Sequence, residues 1–323
     1  MTTTRMWHEL TPAAFDPASI DEETRQVNDL IEKTLAAFPA LHTRTDVPEI
    51  RREREEGTGP FPPLQISPRA VVREIPGRAG SVKLRVFAHP EPRGVYLHIH
   101  GGGWTLGAAH QQDPLLELLA DACRLTVASV EYRLAPEHPY PAGPDDCESA
   151  ALWLLDNARK ELGSDRLLIG GESAGAHLSA VTLLRLRDRN GTTGFAGANL
   201  VYGCYDLGLT PSVARWGERN LILSTPIVEW FADHFVPRAR RAEPDVSPIH
   251  ADLRNLPPAL FSVGTTDHLL DDTLMLASRW AAAGNDTELF VAPDMPHGFL
   301  FFPCALTARW FERSAKWFEG VLG

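Results

Sequence analysis

Residues 166–188 read RLLIGGESAGAHLSAVTLLRLRD. "RLLIGG" is a short apolar run of the kind a buried parallel strand requires, and Ala174–Asp188 carries a helical pattern. Between them stands Gly171-Glu172-Ser173-Ala174-Gly175. G-x-S-x-G arises often by chance, so its context discriminates: here strand, motif and helix follow in that order. A serine on a sharp strand-to-helix turn is held in strained backbone angles and needs small neighbours. The turn lifts the hydroxyl above the sheet and aims a helix N-terminus at whatever bonds to it.

The same alternation extends outward along the chain. "AVVREI" and "VKLRVFA" alternate like half-buried antiparallel strands, whereas "GVYLHIH", "LTVASV", "ANLVYG", "ALFSVG" and "TELFVAP" are apolar runs suited to buried parallel strands. Helical patterns separate them near Asp113–Ala122, Asp145–Leu162, Asp271–Ala283 and Ala305–Leu322. Strands alternating with helices predict an α/β fold with one mostly parallel central sheet flanked by helices. Two regions break the rhythm. Asp16–Phe38 has apolar residues at helical spacing behind an Asp-Pro start, followed by the charged "PEIRREREEG" and a loop, "TGPFPP". Cys204–Pro258 is far longer than a crossover of about a dozen residues needs, so it carries an insertion. Its expected place is over the carboxyl ends of the strands, where open α/β sheets bind ligands. The division read from this is 1–60 as an N-terminal helical cap segment, 61–203 and 251–323 as the catalytic domain, and 204–250 as an inserted cap segment.

Composition narrows the partners. Across 323 residues the net charge is −11, which argues against nucleic acid and anionic membrane surfaces. "MTTTRMWHELTPAAFDP" has no apolar core of signal-peptide length, and no apolar run reaches the roughly 18 residues of a membrane span. Cys123, Cys147, Cys204 and Cys304 are widely separated, as expected for free thiols of a cytoplasmic protein.

"LHIHGGGW" (Leu97–Trp104) ends a strand in successive glycines, a costly choice unless backbone must approach something closely. Attack on an ester carbonyl builds negative charge on its oxygen, and fixed N–H donors stabilise that charge. Gly102 and Gly103, with Ala174 after the serine, are the expected donors of such an oxyanion hole. Phosphate-loop spacings are absent here, and His98 and His100 lack supporting ligands, so neither a phosphate site nor a metal is expected.

A serine hydroxyl needs a base, and the base an orienting acid. In this architecture they follow the serine in the order acid, then histidine, each past a late strand. That order selects Asp267, just beyond "ALFSVG", and His297, beyond "TELFVAP". His234, His250 and His268 compete for the base less well. Asp271 and Asp272 open a helix and suit capping or dipole roles. His177, one turn along the serine's helix, is expected to be packed or hydrogen-bonded. Trp104 is a candidate for lining the substrate pocket beside the glycine loop; Trp216, Trp230 and Phe231 are candidates for lining it from the insertion, or equally for the cap's own core.

"HGGGW", "YRLAPEHPYPA", "GESAG", "GTTDHLLDD" and "PHGF", in this order, resemble the hormone-sensitive-lipase-like branch of the α/β-hydrolases, which includes bacterial carboxylesterases. The resemblance implies an α/β-hydrolase fold with a helical cap, and hydrolysis of small to medium carboxylic esters through an acyl-serine, without cofactor or metal. It implies Ser173, Asp267 and His297 as the catalytic triad, and allows a homodimer. It also implies that Arg133 and Glu137 hold a loop by ion pairing. Lipase, amidase or acyltransferase chemistry on the same triad is the alternative, since relatives serving as non-catalytic receptors lack the histidine retained in "MPHGF".

Overall fold

The computed structural model describes residues 10–323, so Met1–Glu9 of the N-terminal segment lie outside the described residues. The apolar runs pair into one eight-stranded sheet. Its strands are β1 (Val71–Gly77), β2 (Gly80–Phe87), β3 (Gly94–Ile99), β4 (Leu125–Glu131), β5 (Leu167–Glu172), β6 (Gly197–Val201), β7 (Ala259–Thr266) and β8 (Thr287–Pro296). The spatial order is β1-β2-β4-β3-β5-β6-β7-β8. The contacts β1/β2 and β2/β4 are antiparallel and the rest parallel. Every residue of β3, β5 and β6 is buried, as strands covered on both faces must be. The edge strand β1 is more exposed than its alternation predicts: Val71 and Val72 are 61% and 54% exposed.

The helices are α1 (Glu22–Ala36), α2 (Val47–Glu56), α3 (Asp113–Cys123), α4 (Ala142–Leu162), α5 (Ala174–Asn190), α6 (Pro211–Trp216), α7 (Thr225–Phe235), α8 (Leu270–Ala282) and α9 (Ala305–Leu322). No described helix is long and apolar enough to cross a membrane. The expected start at Asp16 is corrected. Asp16 and Pro17 open only a short 3₁₀ turn, and the helix begins after Asp21, whose carboxylate accepts the Thr24 N–H at 2.7 Å. The charged "PEIRREREE" is itself helical. Asp46 caps it, Gly57 ends it in left-handed backbone, and Arg52 pairs with Glu49 and Glu56 along one face. Cys123, Cys147 and Cys204 are buried free thiols, whereas Cys304 is only half-buried.

What positions the site is a close approach between two strand ends. A methyl group added to Gly171 or to Gly175 would collide with the same atom, the carbonyl oxygen of Ile99 at the end of β3. The glycines flanking Ser173 therefore let the β5–α5 turn sit directly on β3. One turn into α5, His177 is fully buried; its Nδ1 accepts the Trp104 indole N–H at 2.9 Å and its Nε2–H donates to the Val246 carbonyl at 2.7 Å. Helix α5, the glycine loop and the insertion are thus tied together by one neutral imidazole, and burial pushes its pKa down to about 4.

Gly175→Ala is expected to destabilise the protein by about 3 kcal/mol in urea unfolding, because backbone must move to admit the methyl group. Gly320→Ala, where an added Cβ meets nothing within 4 Å, should be neutral or slightly stabilising in the same assay. Equal effects at both positions would contradict the close approach. The depressed His177 pKa makes its contribution complete above the ordinary 6.5 and lost as pH falls toward about 4. His177→Asn, which cannot titrate, should show a shallower fall of Tm over that window. Some fall should remain, because burial also depresses His100 to about 4. An unchanged slope would contradict the role given to His177.

Candidate functional site

Three side chains meet from the ends of three strands. Ser173 follows β5, Asp267 follows β7 and His297 follows β8. Ser173 has φ 57° and ψ −121°, a conformation costly for a residue with a Cβ. Its strain is held by its own N–H, which donates to the Val201 carbonyl at 2.9 Å, while its carbonyl receives the His177 N–H at 3.1 Å. His297 Nε2 lies 2.9 Å from Ser173 Oγ, and its Nδ1 lies 3.0 and 3.1 Å from the two oxygens of Asp267. Asp267 is 1% exposed, and its Oδ1 also accepts the Leu269 N–H at 2.8 Å, which fixes the carboxylate's orientation. A hydroxyl, an imidazole and a carboxylate in this line can move the serine proton onto the ring.

The other histidines are engaged elsewhere. His234 donates from Nδ1 to the Trp230 carbonyl at 2.7 Å, His250 is 3.5 Å from Asp206, and His268 is buried under Trp216, ring centres 3.8 Å apart. Asp271 and Asp272 depart from the capping role expected of them within their own helix. Their carboxylates instead receive backbone N–H groups of the insertion: Ser212 for Asp271, Tyr205 and Asp206 for Asp272, which also accepts the Thr210 hydroxyl. They fasten the root of the insertion to α8, a pairing between segments some sixty positions apart that local spacing does not reveal.

The glycine loop turns at Gly102 and Gly103, with φ of 106° and 58°. Among the described residues neither these N–H groups nor that of Ala174 finds an acceptor in the chain. A side chain on the loop would strike the protein itself: the Leu106 carbonyl from Gly102, and the Phe231 ring from Gly103. Packing, as well as room for a ligand, therefore demands glycine here.

The aromatic candidates separate. Trp104 is 3% exposed, stacked on Phe235 at 4.7 Å and bonded to His177, so it braces the loop from below instead of lining an open pocket. Phe231 lies directly on Gly103. Trp216 covers His268, and Trp230 donates its indole N–H to the Arg44 carbonyl at 3.1 Å, joining α7 to the N-terminal segment. Arg133 pairs with Asp146, and Glu137 pairs with Arg51 of α2, which also donates to the carbonyls of Thr105 and Ala135.

Other contributors escaped sequence reasoning. Tyr202, at the end of β6 with φ 37°, sets its ring edge-on to His297 at 4.8 Å. Asn28 of α1 donates to the Asp294 carbonyl at 2.8 Å, and the Thr266 hydroxyl donates to the Asp294 carboxylate at 2.6 Å, securing the segment that carries His297. The partners are separated by tens to hundreds of residues, and the buried face of α1 is itself mostly polar, Thr24 and Asn28 beside Ile31, so periodicity gave no signal.

A family model described as alpha/beta hydrolase fold matches residues 96–301. Carboxylesterase NlhH of Mycobacterium tuberculosis is 34% identical over 305 residues, covering 87% of this chain and 91% of that protein. An esterase from Pyrobaculum calidifontis superposes with a TM-score of 0.82 at 28% identity, over 96% of this chain and 99% of its own. A hormone-sensitive lipase from a metagenome library does so with a TM-score of 0.81 at 27% identity, over 94% and 99%. The strand order, the strained serine turn and these matches together show that the chain belongs to the α/β-hydrolase family, in its hormone-sensitive-lipase-like branch.

Proposed function

We propose that the chain is a serine carboxylesterase in which Ser173 is the nucleophile, His297 the general base and acid, and Asp267 the orienting carboxylate. The observation that carries this reading is the unbroken hydrogen-bond line from Ser173 Oγ through His297 to Asp267, at 2.9 and 3.0 Å. His297 Nε2 takes the serine proton as Oγ bonds to the ester carbonyl carbon. Asp267, buried and already holding Nδ1–H, stabilises the imidazolium that forms. The carbonyl oxygen, now negative, accepts from the N–H groups of Gly102, Gly103 and Ala174, which have no competing partner to leave.

His297 then returns the proton to the departing alcohol, leaving an acyl-serine. Water enters, gives a proton to His297 and attacks the acyl carbon; the bond from that carbon to Ser173 Oγ then breaks, His297 returns the proton to Oγ, and the acid leaves. Every bond made and broken is accounted for by ester, water and these side chains.

Of the described residues, 10–60 and 204–250 together form the cap in this reading. Supporting it, Phe231 and Phe235 lie on Gly103 and Trp104, and Trp230 is tied to Arg44. The acyl and alcohol groups then enter between this cap and the strand ends, which limits the substrates to small or medium esters.

Ser173→Ala should lower hydrolysis of an activated short-chain aryl ester by about 10³-fold or more, with circular dichroism and Tm retained. Asp267→Asn should lose a comparable amount, mainly in kcat, because the ring then lacks the acceptor that selects its tautomer. Near-normal turnover in a folded Ser173→Ala protein would refute the assignment.

A further inference from the structure

The oxyanion site proposed above draws its donors from two unconnected segments, residues 102–103 and residue 174. Both lie beyond the strand ends, since β3 stops at Ile99 and β5 at Glu172, so no ladder of sheet hydrogen bonds sets their separation. Besides the bond from Trp104 to His177, a side chain next to the serine itself spans the gap. Glu172, 3% exposed and the covalent neighbour of Ser173, accepts the Gly101 N–H on Oε1 at 2.5 Å. The same oxygen accepts from the Gln112 side-chain amide, beyond the far end of the loop. Its Oε2 accepts from His98 Nε2 at 3.0 Å, and His98 Nδ1 accepts the Ser129 hydroxyl at 2.9 Å. The carboxylate thus holds the residue before Gly102, a residue after the loop, and the strand from which the loop leaves.

We infer that Glu172 is a positioning residue for the reaction: it clamps the glycine loop to the nucleophile turn so that the N–H groups of Gly102 and Gly103 stay in register with that of Ala174. It touches neither substrate nor reacting atoms. A buried carboxylate with these donors has its acceptor sites engaged, and removing it leaves Gly101 N–H and Gln112 unpaired in the interior. The loop then settles where those groups find new partners, and its donors drift from the point where charge develops. Misplacing such donors weakens transition-state binding while leaving ground-state binding of the ester largely intact. Glutamine keeps an acceptor oxygen for Gly101 and Gln112, and its amide can donate to His98 once that ring adopts its other tautomer.

The inference rests on Ser173 and the glycine loop acting as proposed, and the test separates the two. Steady-state hydrolysis of an activated aryl ester and affinity for a trifluoromethyl ketone, which mimics the tetrahedral oxyanion, are measured for Glu172→Ala, Glu172→Gln and Ser173→Ala, each checked for folding. Glu172→Ala should lose about 100-fold in kcat with KM changed less than about threefold, and ketone affinity should fall in parallel. Glu172→Gln should recover most of that loss. If Glu172→Ala does not fold, Glu172→Asp, whose carboxylate is one methylene shorter, should fold and lose about tenfold in kcat. A folded Glu172→Ala or Glu172→Asp protein with kcat within about threefold of wild type overturns the clamp, as does a loss confined to KM with ketone affinity unchanged. An active Ser173→Ala protein would instead overturn the reading on which the clamp rests.

Discussion

The carbonyl oxygen of Ile99 is the point on which the arrangement turns. Gly171 and Gly175 both press their backbone against it, and no residue with a side chain fits at either place. This contact seats the serine turn on the end of β3, from which the glycine loop immediately departs. Ser173 can then occupy backbone angles that would otherwise be abandoned, because the Val201 carbonyl and the first turn of α5 hold it from the other side. The strained turn, the glycine N–H groups and Ser173 are gathered by the packing of three strand ends.

The parts outside the sheet tighten the same region. Helix α2 reaches the segment after the glycine loop through Arg51, and α1 reaches the segment before His297 through Asn28. The insertion is rooted by Asp271 and Asp272 and spread over the loop by Phe231 and Phe235. His177 joins helix, loop and insertion in one buried neutral ring. Partial loosening of any of these segments would reach the site through direct contacts, in the case of α1 by way of Asp294 of β8.

Much of this was legible in the sequence. The buried strands announced themselves as apolar runs, and chain order alone singled out Asp267 and His297, which the fold brings to hydrogen-bonding distance of each other and of Ser173. What failed to show had physical causes. Helix α2 has only Val47 and Ile50 buried and is held by charge pairs, so hydrophobic periodicity gave no signal. The start of α1 was set by which of two aspartates, Asp16 or Asp21, caps a lasting helix, a choice of local energetics. Trp104 looked like a pocket wall beside its loop, yet its indole N–H found His177 and turned the ring inward. Long-range polar contacts such as Glu172 with Gly101 or Asp272 with Tyr205 leave no periodic trace at all.

In the proposed mechanism, backbone N–H groups of two separate segments converge on one oxygen bonded to the Ser173 acyl centre. A crystal structure of the protein with Ser173 phosphonylated by a monoester phosphonate tests it most directly. The phosphonyl oxygen should lie about 2.7–3.1 Å from the nitrogens of Gly102, Gly103 and Ala174, with His297 Nε2 facing the leaving-group side. A phosphonyl oxygen turned to solvent or held by other groups, with the glycine N–H groups aimed elsewhere, would contradict it.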